Sequence, residues 1–257
     1  MKRTLFILAF VCALCVRSQA QADVPGLIDA FGNIQTSDLL ARLDNFATEL
    51  QNAPQSGAFI VAYPQANKFP GWPLRRALWC RAYLIKGRRI DAGRVHVVNG
   101  GFRDDVRFEL WVEPPGAQPP VRPFDLAAEL AREKTPYLFD LFYILEKTPG
   151  DPDVDDYDYL DDVDSYEPFV TTLRNDPAAR GLVIAYATRR DRRGEDRRLA
   201  ARRKLEILKG YSIGADRIVA VGGGLRKQKT IEFWIVPPGA ELPKPTPTVR
   251  PSRRTRR

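Results

Sequence analysis

Apolar positions along this chain fall into short strand-like runs separated by stretches of helical spacing, and the whole series occurs twice. In the first series, strands are predicted near 58–63, 94–98 and 106–112, and helices near 37–51 and 73–86. In the second, Tyr166, Phe169 and Leu173 share one helix face, which Asn175-Asp176-Pro177 closes. The apolar run Gly181 to Tyr186 reads as a strand. Leu199, Leu205 and Leu208 mark a second helix that stops at Gly210. Arg217 to Val221 is a strand opening onto Gly222-Gly223-Gly224, and Thr230 to Val236 is the last strand, ended by Pro237-Pro238 because proline cannot donate to the ladder. Leu27-x-Asp29-x-Phe31 resembles Leu138-x-Asp140-x-Phe142 and supplies a first strand in each series; for Tyr137 to Leu145, a helix fits the spacing of Leu138, Leu141, Phe142 and Leu145 as well. The order predicted for each unit is strand, helix, strand, helix, strand, strand.

The two series are copies. Phe46 to Pro120 aligns without a gap onto Phe169 to Pro243, at a constant offset of 123 residues. Identities include Leu50/Leu173, Ala62-Tyr63/Ala185-Tyr186, Lys86-Gly87/Lys209-Gly210, Arg94/Arg217, Gly100-Gly101/Gly223-Gly224, Arg103/Arg226 and Trp111/Trp234, the last pair each followed by x-x-Pro-Pro-Gly-Ala. A period this long is one duplicated domain, not a solenoid of short repeats. Residues found in only one copy therefore mark where a site must differ. The first strands are offset by 111 instead, so the second copy has gained 12 residues where the acidic run Asp151 to Asp164 lies. The expected organisation is a leader at 1–22, a first repeat at 23–120, a linker with a short helix at 121–136 and a second repeat at 137–244 carrying an acidic insertion at 149–164. A disordered basic tail at 245–257 completes it.

Charge and cysteine use then narrow the setting. Lys2 and Arg3, an apolar run from Leu5 to Val16 and the small residues near Ala20 to Ala22 read as a secretory signal peptide, with no membrane span in the mature chain. Its removal lowers the formal charge from +8 to +5. Outside the cytoplasm, a basic chain points to envelope polymers, lipopolysaccharide or acidic proteins as partners and away from nucleic acid. Cys12 and Cys15 leave with the leader, and Cys80 reads as a small buried apolar residue.

In the second copy, Asp196-Arg-Arg-Leu199-Ala200-Ala-Arg-Arg203-Lys204 and Ile213-Gly-Ala-Asp-Arg-Ile218 give a pattern that resembles the OmpA-like, peptidoglycan-binding domain. That resemblance implies an α/β (α+β) protein of two tandem βαβαββ domains, each a mixed sheet with helices on one face. It also implies an aspartate and a helix arginine that together grip diaminopimelate in the peptide stem. Arg203 stands at the arginine position, but Thr188 stands at the aspartate position, so Asp191 or Asp196 would have to substitute. Arg202 lies beside them. The first copy has Gln65 and Cys80 at the two positions and is expected to be inert.

Other candidates come from the residues alone. The dense basic stretch Arg189 to Lys204 is either a docking surface for anions or a solvated face neutralised by Asp191, Glu195 and Asp196 and by the acidic insertion. Glu109 and Trp111, like Glu232 and Trp234, lie on the side of the last strand opposite Phe108 and Leu110 or Ile231 and Phe233. They are expected on the open sheet faces, covered by the other copy or forming a glycan or protein groove. His96 is the only histidine, which excludes Ser/His triads and histidine metal centres, and the acidic run lacks the Gly and terminal Glu of an EF-hand loop. No cofactor or metal is expected. The reading is a secreted, periplasmic, non-enzymatic binding or scaffolding protein of the cell envelope; the alternatives are a protein–protein adaptor without wall binding and, third, a carboxylate-dependent cell-wall hydrolase.

Overall fold

A computed structural model describes residues 26–144 and 166–250. The leader, the acidic insertion 149–164 and residues 251–257 lie outside the described residues. The first repeat runs β1 (Gly26–Phe31), α1 (Thr36–Asn52), β2 (Gly57–Tyr63), α2 (Gly71–Ala82) with a π turn at Tyr83–Gly87, β3 (Val95–Asn99) and β4 (Arg107–Glu113). After α3 (Leu126–Glu133), the second repeat runs β5 (Tyr137–Tyr143), α4 (Glu167–Asn175), β6 (Arg180–Ala187), α5 (Glu195–Gly210), β7 (Ile218–Leu225) and β8 (Thr230–Val236). The strand orders β1-β4-β2-β3 and β5-β8-β6-β7 are the same arrangement in both sheets. In each, the central pair is antiparallel and the edge strand β3 or β7 runs parallel to its neighbour. Both units are α+β, as expected.

The duplicated residues have duplicated jobs. Arg94 donates to the carbonyls of Leu50, Ala53 and Ser56, and Arg217 to those of Leu173, Asp176 and Ala179, the same positions 123 residues on. Each arginine thus closes the C-terminal end of the first helix, whose last carbonyls have no partner within the helix. The shared Leu-x-Asp-x-Phe motif marks a register shift at the same place in β1 and β5, between Leu27 and Asp29 and between Leu138 and Asp140. Each aspartate then accepts a hydrogen bond from the next backbone N–H, at 2.7 Å for Ala30 and 2.8 Å for Leu141. Residues 137–143 are therefore a strand, and the helical alternative fails because this segment pairs along β8.

The helix-side faces of both sheets share one apolar core, which holds Leu39, Leu43, Phe46 and Leu50 of α1 as well as Phe169, Val170 and Leu173 of α4. Helix α2 spans the seam, contacting β2 and β3 of its own repeat and β5 and α4 of the other. Gly71 opens it where any side chain would collide with Asp140, since an added Cβ would lie 2.5 Å from that carboxylate. Asp140 is almost fully buried, and burial pushes its carboxyl up from the ordinary range against the pull of Arg75. Arg75 Nε reaches it at 2.6 Å, and the guanidinium lies 3.8 Å from the centre of the Phe142 ring. In the first repeat the matching Asp29 is served within its own copy, by Arg42 at 2.8 Å. Cys80 is fully buried in the same core and its thiol is pushed up to about 12 by burial, which makes it an inert apolar residue.

Two expectations change. Strand β7 does not stop at the glycines but runs through them to Leu225. Gly223, like Gly100, is a site of close approach: a Cβ there would lie 2.5 Å from the Tyr186 ring, and one at Gly100 2.3 Å from Tyr63. The tail is also not free from residue 245 onward. Thr246 N–H donates to the Tyr186 hydroxyl, Thr248 N–H donates to the Leu225 carbonyl, and Val249 bridges Leu225. The proline-rich composition gives few apolar side chains to bury, but Ala240 and Leu242 reach the second sheet, and hydrogen bonds to that sheet hold the segment up to Val249.

Asp140→Ala is expected to cost about 3 kcal/mol, because it leaves Arg75 uncompensated at a buried seam. Asp29→Ala should cost about 1 kcal/mol or less, since its pair with Arg42 is far more exposed. Guanidinium unfolding of both variants checks the order; equal losses would show that the seam carries no special weight.

Candidate functional site: a basic groove on the second repeat

The five residues expected at the family clamp do not form one site. Arg203 is half-buried on α5 and donates to Glu206 at 2.6 Å, while the Tyr166 hydroxyl donates to the same carboxylate at 2.8 Å. Burial works against the Arg203 charge, but Glu206 outweighs it and the pKa is raised. Asp191 instead accepts from the Thr188 N–H and hydroxyl and pairs with Lys229 at 2.7 Å. Burial alone would raise its carboxyl; Lys229 and Thr188 hold it below the ordinary range. Asp196 accepts from Gly224 N–H and fastens the start of α5 to the end of β7. Arg202 pairs with Glu195, which Arg198 also meets. Among the described residues, no hydrogen bond or ion pair joins Arg203 to Asp191 or Asp196. The first-copy counterparts are no better placed, with Cys80 buried and Gln65 bridging Arg103.

Glu109, Trp111, Glu232 and Trp234 do share the open sheet faces, but the chain itself occupies those faces. The Tyr63 hydroxyl and Trp111 Nε1 both donate to Glu109 Oε2, at 3.0 and 3.2 Å, and Arg107 donates to Oε1. Tyr186 and Trp234 repeat this at Glu232, at 3.2 and 3.1 Å, with Arg226 on the other oxygen. Arg103 and Arg226 lie over the Tyr63 and Tyr186 rings, at 4.2 and 3.5 Å. After each last strand the chain turns back, through Ala117 to Pro114 and Ala240 to Pro237, and lays Val121 or Ala240 and Leu242 on this apolar face. The other copy does not cover these faces, because the copies meet through their helix sides.

The copies differ at one end of the second sheet. A groove of about 760 Å³ is lined by Arg189, Arg190, Arg226, Lys227, Lys229 and Arg250, with Thr188, Gln228, Thr248, Ile144 and Val249 between them. Among the described residues, no carboxylate lines it. Lys229 is spent on Asp191 and Arg226 on Glu232. Arg189 donates only to the carbonyl of Arg250, and Arg190, Lys227 and Arg250 have no acidic partner among the described residues. At the same places the first repeat carries Ala66, Asn67, Arg103, Asp104, Asp105 and Val106. A shared fold thus holds a cationic groove in one copy and two acids in the other. Sequence reasoning had marked Arg189 and Arg190 but not Lys227, Lys229 or Arg250, which lie far away in the chain. The signal in the sequence is the charge reversal between copies at Asp104 and Lys227.

One buried acid is peculiar to the first repeat. Glu113 stands where the second has Val236, and its Oε2 has no partner. Its Oε1 is 3.8 Å from Nε2 of the half-exposed His96. Burial pushes the carboxyl up to about 7. No metal-binding cluster of acids, histidines and cysteines occurs among the described residues.

Searches against protein-family models and against curated proteins found no match to this chain.

Because the Glu113 carboxyl is raised on folding, its favourable contribution is complete below the unfolded value near 4.5 and is lost as pH rises through about 7. Stability is expected to fall by about 2 kcal/mol between pH 5 and 8. Glu113→Gln should flatten that slope, as read from urea midpoints across the range.

Proposed function

We propose that this is a non-enzymatic binding or scaffolding protein of the cell envelope that holds an anionic polymer in the groove of its second repeat. The observation that carries this reading is the charge asymmetry between two copies of one fold. Duplicated positions that build the fold keep their residues: Arg94/Arg217, Tyr63/Tyr186 and Trp111/Trp234. In the groove Arg226 keeps the arginine of Arg103, but Arg189, Arg190 and Lys227 replace Ala66, Asn67 and Asp104, and these cations have no acidic partner among the described residues. Unpaired surface charge of one sign is not needed for folding, and it attracts the opposite charge.

The grip differs from the one the OmpA-like resemblance implies. With Arg203 committed to Glu206 and Asp191 to Lys229, the binding surface is the loop after β6, the loop before β8 and the segment ending at Arg250. Peptidoglycan remains a candidate polymer, bound through its overall negative charge and not through a diaminopimelate clamp. The acids that a hydrolase would use are engaged elsewhere: Glu109 and Glu232 each meet a tyrosine, a tryptophan and an arginine.

Co-sedimentation with insoluble peptidoglycan, together with binding to soluble acidic polysaccharide, tests this. The double variant Arg190→Ala/Lys227→Ala is expected to weaken binding at least about tenfold while leaving thermal stability unchanged. Arg203→Ala should do the reverse, lowering stability by about 1 kcal/mol and sparing binding. Loss of binding in Arg203→Ala alone would restore the family clamp, and no retention of the wild type would favour a protein adaptor.

A further inference from the structure

The geometry points to clustered phosphoester groups on a non-aromatic backbone as the ligand of this groove, in preference to carboxylates spaced along a glycan. This rests on the anionic-polymer reading above.

Charge density is the first reason. Arg189, Arg190, Lys227 and Arg250 face one groove, and among the described residues the acids that meet its lining, Asp191 and Glu232, already have cationic partners. A single carboxylate supplies one negative charge and leaves the remaining cations repelling one another. A phosphomonoester brings about −1.5 to −2 and three strong acceptor oxygens. Several linked phosphates would neutralise the groove over its length, and its volume of about 760 Å³ is within the range of roughly 300–1,000 Å³ that holds extended ligands.

Donor geometry is the second reason. Guanidinium groups present a planar fork that fits two oxygens of a phosphate, and the groove offers Arg189, Arg190 and Arg250 in that role. Thr248 and Gln228 add neutral donors beside them, whereas the Thr188 hydroxyl is occupied by Asp191. These walls are fixed before any ligand arrives. Arg226 is tied to Glu232 and to the Thr246 hydroxyl, and the segment carrying Arg250 is bridged to Leu225 and held by Arg189. Preorganised donors lose little freedom on binding.

The third reason is what the groove lacks. Among the described residues its lining contains no phenylalanine, tyrosine or tryptophan, and the Tyr186 ring lies under the Arg226 guanidinium at 3.5 Å. Binding of single-stranded nucleic acid depends on aromatic platforms for the bases, and sugar rings also stack on such faces. Recognition here is therefore electrostatic. In the first repeat, Asp104 and Asp105 occupy the positions of Lys227 and Gln228, and their negative charge disfavours a phosphate there.

The phosphate groups could belong to a soluble polymer or to lipid headgroups, and titration of the full chain separates these sources. The probes are sodium tripolyphosphate, citrate, polygalacturonate, and vesicles of phosphatidylcholine with and without phosphatidic acid. Tripolyphosphate is expected to bind at least about tenfold more tightly than citrate and to displace polygalacturonate. Arg190→Ala/Lys227→Ala should reduce tripolyphosphate affinity at least about tenfold and make its salt dependence shallower. Arg189→Lys, which keeps the charge and loses the fork, should weaken tripolyphosphate about threefold. Binding confined to vesicles with phosphatidic acid supports the phosphoester assignment and makes the lipid its source. Equal affinity for citrate and tripolyphosphate overturns the assignment while the anionic-polymer reading stands. If polygalacturonate, tripolyphosphate and acidic vesicles all fail to bind, the reading of the groove itself falls.

Discussion

Asp140 is a carboxylate taken out of water at the seam between two copies of one fold, and it is held there by Arg75 of the other copy. A buried charge is tolerated only with a partner in good geometry, so this contact fixes how the repeats meet. Gly71 lets the start of α2 approach closely enough for the contact to form, and Phe142 supports the guanidinium from the side. The same carboxylate in the first repeat, Asp29, is satisfied inside its own copy by Arg42. Duplication supplied two equal aspartates. Divergence of their partners turned one of them into an inter-repeat fastening.

That fastening determines which surfaces are left over. The helix sides of both sheets are used up in one apolar core. The opposite sides would be exposed, each with a tryptophan and several aliphatic residues, if the chain did not fold back over them. In both copies it does so after the last strand, above a tyrosine, a glutamate, a tryptophan and an arginine that satisfy one another. Glu109 and Glu232 are nearly buried and serve as acceptors for these donors, which gives them a structural task. What stays open is the end of the second sheet, where loops and the returning segment meet.

At that end the contrast between the copies is electrostatic and not architectural. Both ends are shaped by the same strands and by the same stacked arginine, Arg103 or Arg226. One presents Asp104 and Asp105, the other Lys227 with Arg189, Arg190 and Arg250 around it. A fold kept constant while one face changes sign is the arrangement expected when one copy supports and the other binds.

The sequence by itself determined the duplication, the order of elements and their faces, because hydrophobic periodicity and gapless identity are local and one-dimensional properties. It placed Phe108 and Leu110 against the helices and Glu109 and Trp111 on the other side, by alternation alone. It could not decide between strand and helix at 137–145, where both spacings fit and only pairing with β8 selects one. Nor could it see the strap at 240–250, whose hold depends on Tyr186, Arg226 and Leu225, residues remote in the chain. The clamp expected around Arg203 failed for a related reason. The OmpA-like resemblance implies Arg203 beside Asp191 or Asp196, but Glu206 one helical turn away and Lys229 across the sheet end are the partners that the folded chain brings closer. Charge is legible in a sequence, whereas which charges cancel is set by distances that only the tertiary structure fixes.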